Sequence, residues 1–201
     1  MLKVGITGGI GVGKSVVCKI FAALHTPIYD ADSRAKWLMV NDKNLVATIK
    51  NTFGEQAYTL DNQINRDFMI SQILGSPQTA QQLESLVHPA VRIDFEDWLT
   101  KTANQNPTQK YVLKEAALLV ESGSYKELDK LIVVSAAMEV RMTRVLARDL
   151  HRNRQQIAAI MAKQIPETEK IAKADFVIYN NGTELLIPQV LAIHHILSNI
   201  A

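Results

Sequence analysis

The chain has 201 residues, 47% of them apolar and 21% charged, enough to bury the core of one compact domain. Its 22 Lys and Arg against 20 Asp and Glu leave a formal net charge of +2, which argues against a nucleic-acid surface held by bulk electrostatics. No stretch reaches about eighteen uninterrupted apolar residues, the N-terminus lacks a charged segment followed by a long apolar one, and the single cysteine, Cys18, cannot form an intramolecular disulfide. The expectation is a cytoplasmic protein with no nucleic-acid, membrane or obligatory protein partner.

Leu2 to Thr7 is a short apolar run that ends in glycines, which predicts a strand buried on both faces. From Lys14 the apolar positions Val17, Ile20, Phe21 and Leu24 recur at helical spacing until Thr26-Pro27 breaks the pattern. Further strands are predicted at Pro27–Tyr29, Tyr111–Leu113, Leu131–Val134 and Phe176–Tyr179. Helical patterns separate them, so the fold class is α/β with a five-stranded parallel sheet flanked by helices. About eighty residues separate the second and third strands, where a crossover needs about a dozen. That stretch carries helical periods over Lys43–Phe53, Arg66–Leu74, Pro77–Val87 and Val91–Thr102, punctuated by Gly54, Gly75-Ser76-Pro77 and His88-Pro89. A helical insertion is therefore expected over about 33–107, an arginine-rich lid over about 141–165, and a core built from about 1–32, 108–140 and 166–201.

Gly8-Gly9-Ile10-Gly11-Val12-Gly13-Lys14-Ser15 matches G-x-x-x-x-G-K-[ST] between a strand and a helix, the signature of a P-loop. Glycines let successive backbone N–H groups turn toward phosphate oxygens, and the helix that follows presents its positive end to the same anion. Lys14 would bridge the β- and γ-phosphates of ATP, and Ser15 would offer its hydroxyl to Mg²⁺. The bland alternative is a glycine-rich turn with a solvated lysine. A P-loop alone does not separate hydrolysis from transfer. No Asn-Lys-x-Asp string follows a strand, which argues against a guanine-specific GTPase.

Other residues carry two readings each. Asp30 and Asp32 follow the second strand, at the carboxyl edge where open α/β sheets bind ligands. Asp32 fits equally an N-cap for a helix starting near Ser33. Arg141, Arg144 and Arg148 fall at spacings of three and four, a row that can close over triphosphate oxygens or simply be solvated, as expected for Arg152 and Arg154. Glu115 could orient metal-bound water, the acceptor or a lysine, or face solvent. His194 and His195 lack ligand-spaced partners and read as packed or solvated. Trp37 and Trp98 are expected in the core or a pocket wall.

These landmarks together resemble the dephospho-CoA kinase family nearly end to end: Thr7 to Ser15, Asp30-Ala31-Asp32, Arg66, Leu83-Glu84 with His88-Pro89, Leu118-Leu119-Val120-Glu121, Arg144, Arg148, Gln164, Ala174-Asp175 and Asn180. The family often has Pro at Ala117, Gln at Arg141, Thr at Val16 and Arg at Ile160. The resemblance implies a P-loop kinase that transfers phosphate from ATP, with Mg²⁺, to the 3′-hydroxyl of dephospho-CoA. It assigns Asp32 to the acceptor hydroxyl and Arg144 to the transferring phosphates. Lys14, Asp32 and Arg144 are then the expected catalytic residues. Gly9, Gly11, Val12, Gly13, Lys14, Ser15, Val16 and Arg148 are expected to bind ATP, and Asp32, Arg66, His88 and Glu115 the acceptor. The alternatives are a P-loop kinase for a nucleoside monophosphate or small alcohol, and a nucleotide sensor that transfers nothing.

Overall fold

A computed structural model of the chain describes residues 1–200, the side chains of Leu74 and Pro77 apart. In chain order the elements are β1 (Leu2–Thr7), α1 (Lys14–Ala23), β2 (Ile28–Asp30), α2 (Ala31–Asn41), α3 (Lys43–Phe53), α4 (Arg66–Gly75), α5 (Pro77–Gln105), β3 (Tyr111–Glu115), β4 (Lys130–Ser135), α6 (Met138–Arg148), α7 (Arg154–Ala162), α8 (Glu167–Ile171), β5 (Phe176–Tyr179) and α9 (Leu186–Ile200). They divide between two units, Met1–Tyr29 with Gln105–Ala201, and Asp30–Asn104.

The strands lie in the order β2-β3-β1-β4-β5, with β1 parallel to β3 and β4, and β4 parallel to β5. Val4, Ile6, Leu113, Ile132, Val134 and Ile178 are fully buried, because helices cover both faces of a parallel sheet. Helix α1 contributes Val17, Cys18 and Phe21 to this core, and α9 contributes Val190, Ile193 and Leu197. A smaller cluster of Met142, Val145, Ile157 and Met161 joins α6 to α7. Strands β2 and β3 lie on one side of β1 and β4 and β5 on the other, so the winding reverses beside β1. Register pairs Ile6 with Glu115 and Thr7 with Val133, which brings the carboxyl ends of β1, β3 and β4 to one edge.

The second unit is helical. Asp42 begins α3 by accepting hydrogen bonds from the N–H groups of Asn44 and Leu45, both at 2.9 Å. Arg34 of α2 donates a two-pronged bond to Asp94 of α5, at 2.8 and 2.5 Å, and its guanidinium lies 4.4 Å from the ring of Trp37. Trp37 is 49% exposed, so of the core and pocket-wall positions open to it the core is excluded. Trp98 stacks on Phe95 at 6.0 Å. The expected break at His88-Pro89 is also absent. One helix, α5, runs through Pro89, since Val87, Val91, Phe95 and Leu99 recur every fourth residue and are all buried. That continuous stripe outweighs the one backbone hydrogen bond that proline removes.

Candidate active site

Six residues, Gly8 to Gly13, join β1 to α1 at the sheet edge where the winding reverses. Gly13 caps the helix with φ 87° and ψ 28° and no side-chain bond, a left-handed conformation that a Cβ disfavours. A Cβ there would also drive into the amide of Asn180. Among the described residues, the N–H groups of Gly11, Gly13, Lys14 and Ser15 make no backbone hydrogen bond. Unsatisfied donors at the positive end of a ten-residue helix form a ready anion site.

Lys14 reaches Glu115, with Nζ and Oε1 2.8 Å apart and each side chain less than one-sixth exposed. The register of β1 on β3 sets this pair, since Glu115 ends β3 beside Ile6. Of the uses open to Glu115, holding a lysine is the one the chain adopts here. An incoming phosphate must compete with Glu115 for the ammonium.

The arginine row runs from buried to exposed along α6. Arg144 donates to the carbonyl of Val12 at 3.5 Å and to Oδ1 of Asn180 at 3.2 Å. Asn180 Nδ2 donates to the same Val12 carbonyl at 2.7 Å. Arg148 instead turns to Asp149, at 2.8 Å, with its side chain 65% exposed. That hydrogen bond holds the Asp149 carboxyl below its ordinary range and raises the Arg148 guanidinium. Arg152 and Arg154 make surface ion pairs with Asp149 and Glu139, as their solvated reading anticipates. Arg141, by contrast, is buried against the loop, donating to the carbonyl of Ile10 at 2.9 Å. Val12 is buried in the core, so any part it takes in anion binding is through its backbone, whereas Ser15 and Val16 are exposed.

In the helical unit, Asp32 lies exposed in the first turn of α2, Arg66 opens α4, and His88 is exposed within α5. The cap of α2 is Asp30, whose carboxylate accepts from the N–H and hydroxyl of Ser33 at 2.9 and 2.6 Å. The capping role open to Asp32 therefore belongs to its neighbour. His194 packs on Tyr111, its Nδ1 2.7 Å from the phenol, while His195 is exposed and meets Asn199. Among the described residues no group of three or more His, Cys, Asp or Glu could hold a metal, and no helix is long and apolar enough to cross a membrane.

Three residues near the loop are absent from the expected ATP and acceptor sets: Asn180, Gln164 and Glu167. Asn180 follows β5 at the ligand edge of the sheet, a position that signals it from sequence. Gln164, past α7, is marked only as a landmark of the family resemblance, and Glu167, at the start of α8, by no pattern in the sequence.

The sequence model of dephospho-CoA kinase matches residues 2–185. The dephospho-CoA kinase of Bacteroides fragilis (strain YCH46) is 32% identical over 190 residues, 94% of this chain and 90% of that protein. Among solved structures, TT1252 from Thermus thermophilus is 28% identical with a TM-score of 0.83, covering 100% of this chain and 98% of that one. The dephospho-CoA kinase from Campylobacter jejuni, 24% identical over 98% of this chain and 97% of its own, shares the fold with a TM-score of 0.70. With a phosphate-binding loop at the reversal point of the sheet and a family match across nearly its whole length, the chain belongs to the dephospho-CoA kinase family.

Proposed function

We infer that the chain transfers the γ-phosphoryl group of ATP to the 3′-hydroxyl of dephospho-CoA, giving coenzyme A and ADP in the cytoplasm. The observation that carries this is a loop with unsatisfied N–H donors and a poised lysine in a chain matched to dephospho-CoA kinase over residues 2–185.

In the proposed mechanism the phosphates lie in the loop formed by Gly9, Gly11, Val12, Gly13, Lys14, Ser15 and Val16. The N–H groups of Gly11, Gly13, Lys14 and Ser15, which make no backbone hydrogen bond among the described residues, donate to their oxygens. Lys14 leaves Glu115 and bridges the β- and γ-oxygens. Arg144, already beside the loop at the Val12 carbonyl, turns its planar donors to the charge that moves during transfer. Asp32 holds the acceptor hydroxyl in line and accepts its proton. No covalent enzyme intermediate is required. Arg66 and His88, with Glu115 once Lys14 has left it, bind the acceptor. The helical insertion, 33–107, receives dephospho-CoA, and the segment 141–165, with Arg148, covers the nucleotide and excludes water.

The residues present suit Mg²⁺ delivered with the nucleotide. The Ser15 hydroxyl is exposed and makes no hydrogen bond among the described residues, and a cation that keeps its waters and binds phosphates needs only one or two protein oxygens. Such an ion would neutralise phosphate charge as it shifts to the leaving group.

The test is ADP release from ATP across a panel of dephospho-CoA, nucleoside monophosphates, shikimate and small alcohols. Dephospho-CoA is expected to exceed every other acceptor by about 100-fold or more in kcat/KM, as a site built to hydrogen-bond its substrate discriminates. Preference for a monophosphate or small alcohol, or tight ATP binding with no turnover on any acceptor, would overturn the reading.

A further inference from the structure

Arg141 is a charged residue only 7% exposed, and each of its three guanidinium nitrogens donates a hydrogen bond. Nε donates to the carbonyl of Ile10 at 2.9 Å, Nη1 to Glu167 at 3.2 Å, and Nη2 to Oε1 of Gln164 at 3.4 Å. The same Gln164 oxygen accepts the N–H of Ile10 at 3.0 Å. Glu167 is held in turn by the hydroxyl of Ser135 at the end of β4. Both backbone groups of Ile10, at the apex of the phosphate-binding loop, are thus gripped from outside the loop.

The grip has a direct consequence for the loop's donors. A trans peptide is planar, so its C=O and N–H point in opposite directions. Fixing the Ile10 carbonyl on Arg141 fixes the Gly11 N–H the opposite way, and that N–H is one of the unsatisfied donors of the loop. Gln164, by holding the Ile10 N–H, sets the preceding peptide, whose Gly9 carbonyl accepts from Val12 N–H at 3.3 Å. The packing is close enough that a Cβ at Gly9 would run into the Arg141 guanidinium, and one at Gly11 would lie 2.7 Å from the Arg141 carbonyl oxygen. Glycine resists flipping of neighbouring peptides less than any other residue, so a loop this rich in glycine needs an external restraint.

We propose that Arg141 is a positioning residue for nucleotide binding, which orients the Ile10–Gly11 peptide so that its N–H stays available to a phosphate oxygen. It touches no reacting atom. Its planar fork suits the task because one group meets a carbonyl, a carboxylate and an amide oxygen together, which a lysine cannot do.

The proposal rests on the ATP-binding reading of the loop and is tested by Arg141→Lys and Gln164→Ala, with Arg141→Ala as a third variant. Calorimetric titration with ATP gives Kd, steady-state assays give KM for ATP and for dephospho-CoA, and thermal melting of the ligand-free proteins reports the fold. Folded Arg141→Lys and Gln164→Ala are each expected to raise Kd and KM for ATP by about tenfold or more, the loss of a charge-assisted bond or its partner. KM for dephospho-CoA should stay within about twofold, a split that general loosening of the fold cannot produce. Wild-type affinity for ATP in both folded variants, or equal rises in the two KM values with a lowered Tm, would overturn the proposal. ATP titration needs no acceptor, so failure of the dephospho-CoA assignment would leave this Kd comparison standing.

Discussion

Two aspartates separated by one alanine have different environments at the head of α2. Asp30 accepts the N–H and hydroxyl of Ser33, and its removal should cost the helix its cap, whereas Asp32 lies exposed in the first turn. Asp30→Ala is therefore expected to lower stability by about 1 kcal/mol. Asp32→Asn keeps the size of the side chain and removes the negative charge that, in the proposed mechanism, orients and deprotonates the acceptor hydroxyl. It should leave Tm and ATP binding near wild type while kcat with dephospho-CoA falls by about 10²-fold or more. Melting curves beside steady-state rates for both variants decide it, and a normal kcat in Asp32→Asn would remove that carboxylate from the chemistry. The position of Asp32 just after the second strand was legible in the sequence, but that Asp30 is the residue that caps α2 was not. The choice between two carboxylates two residues apart depends on where the helix starts, and that boundary is set by a single turn of backbone geometry.

At the scale of elements, the strands were legible because continuous apolar runs such as Leu131 to Val134 have no other use than a two-faced burial. The loop was legible because its chemistry is local. What escaped sequence reading was decided by distant partners. Pro89 carries a local breaker signal, yet the buried stripe from Val87 to Leu99 keeps α5 whole. Arg141 looks like one more member of a charged row, and its burial depends on Ile10, Gln164 and Glu167, which lie 131, 23 and 26 residues away. The tie between β3 and α9 gives a further prediction. Tyr111 is buried between them, takes a hydrogen bond from Thr26 at 3.1 Å and meets His194, and burial pushes its phenol up to about 12. Burial likewise raises Tyr58, which donates to the Met39 carbonyl at 2.6 Å, to about 12. In both, the neutral form is the one the fold favours. The stability they confer is full below the ordinary phenol value of 10.0 and is lost as pH rises from there through about 12. Tm should therefore fall across that window together with the appearance of phenolate absorbance. Tyr111→Phe should flatten its share of the fall, and an unchanged slope in a folded variant would contradict the assignment.

The whole molecule combines a parallel sheet, which delivers a loop, a lysine and a carboxylate to one edge, with a helical unit that has its own packing. The fold alone would serve many reactions. Family membership narrows the reaction to one acceptor, and the account stands or falls on where the phosphate goes. The most direct measurement is phosphorus NMR of the product formed from ATP and dephospho-CoA, run beside quantitation of ADP. The account predicts one new monoester resonance, on the ribose 3′-oxygen, in equal amount to the ADP released. ADP accompanied by free phosphate and unchanged dephospho-CoA, or a phosphate at any other position, would contradict it.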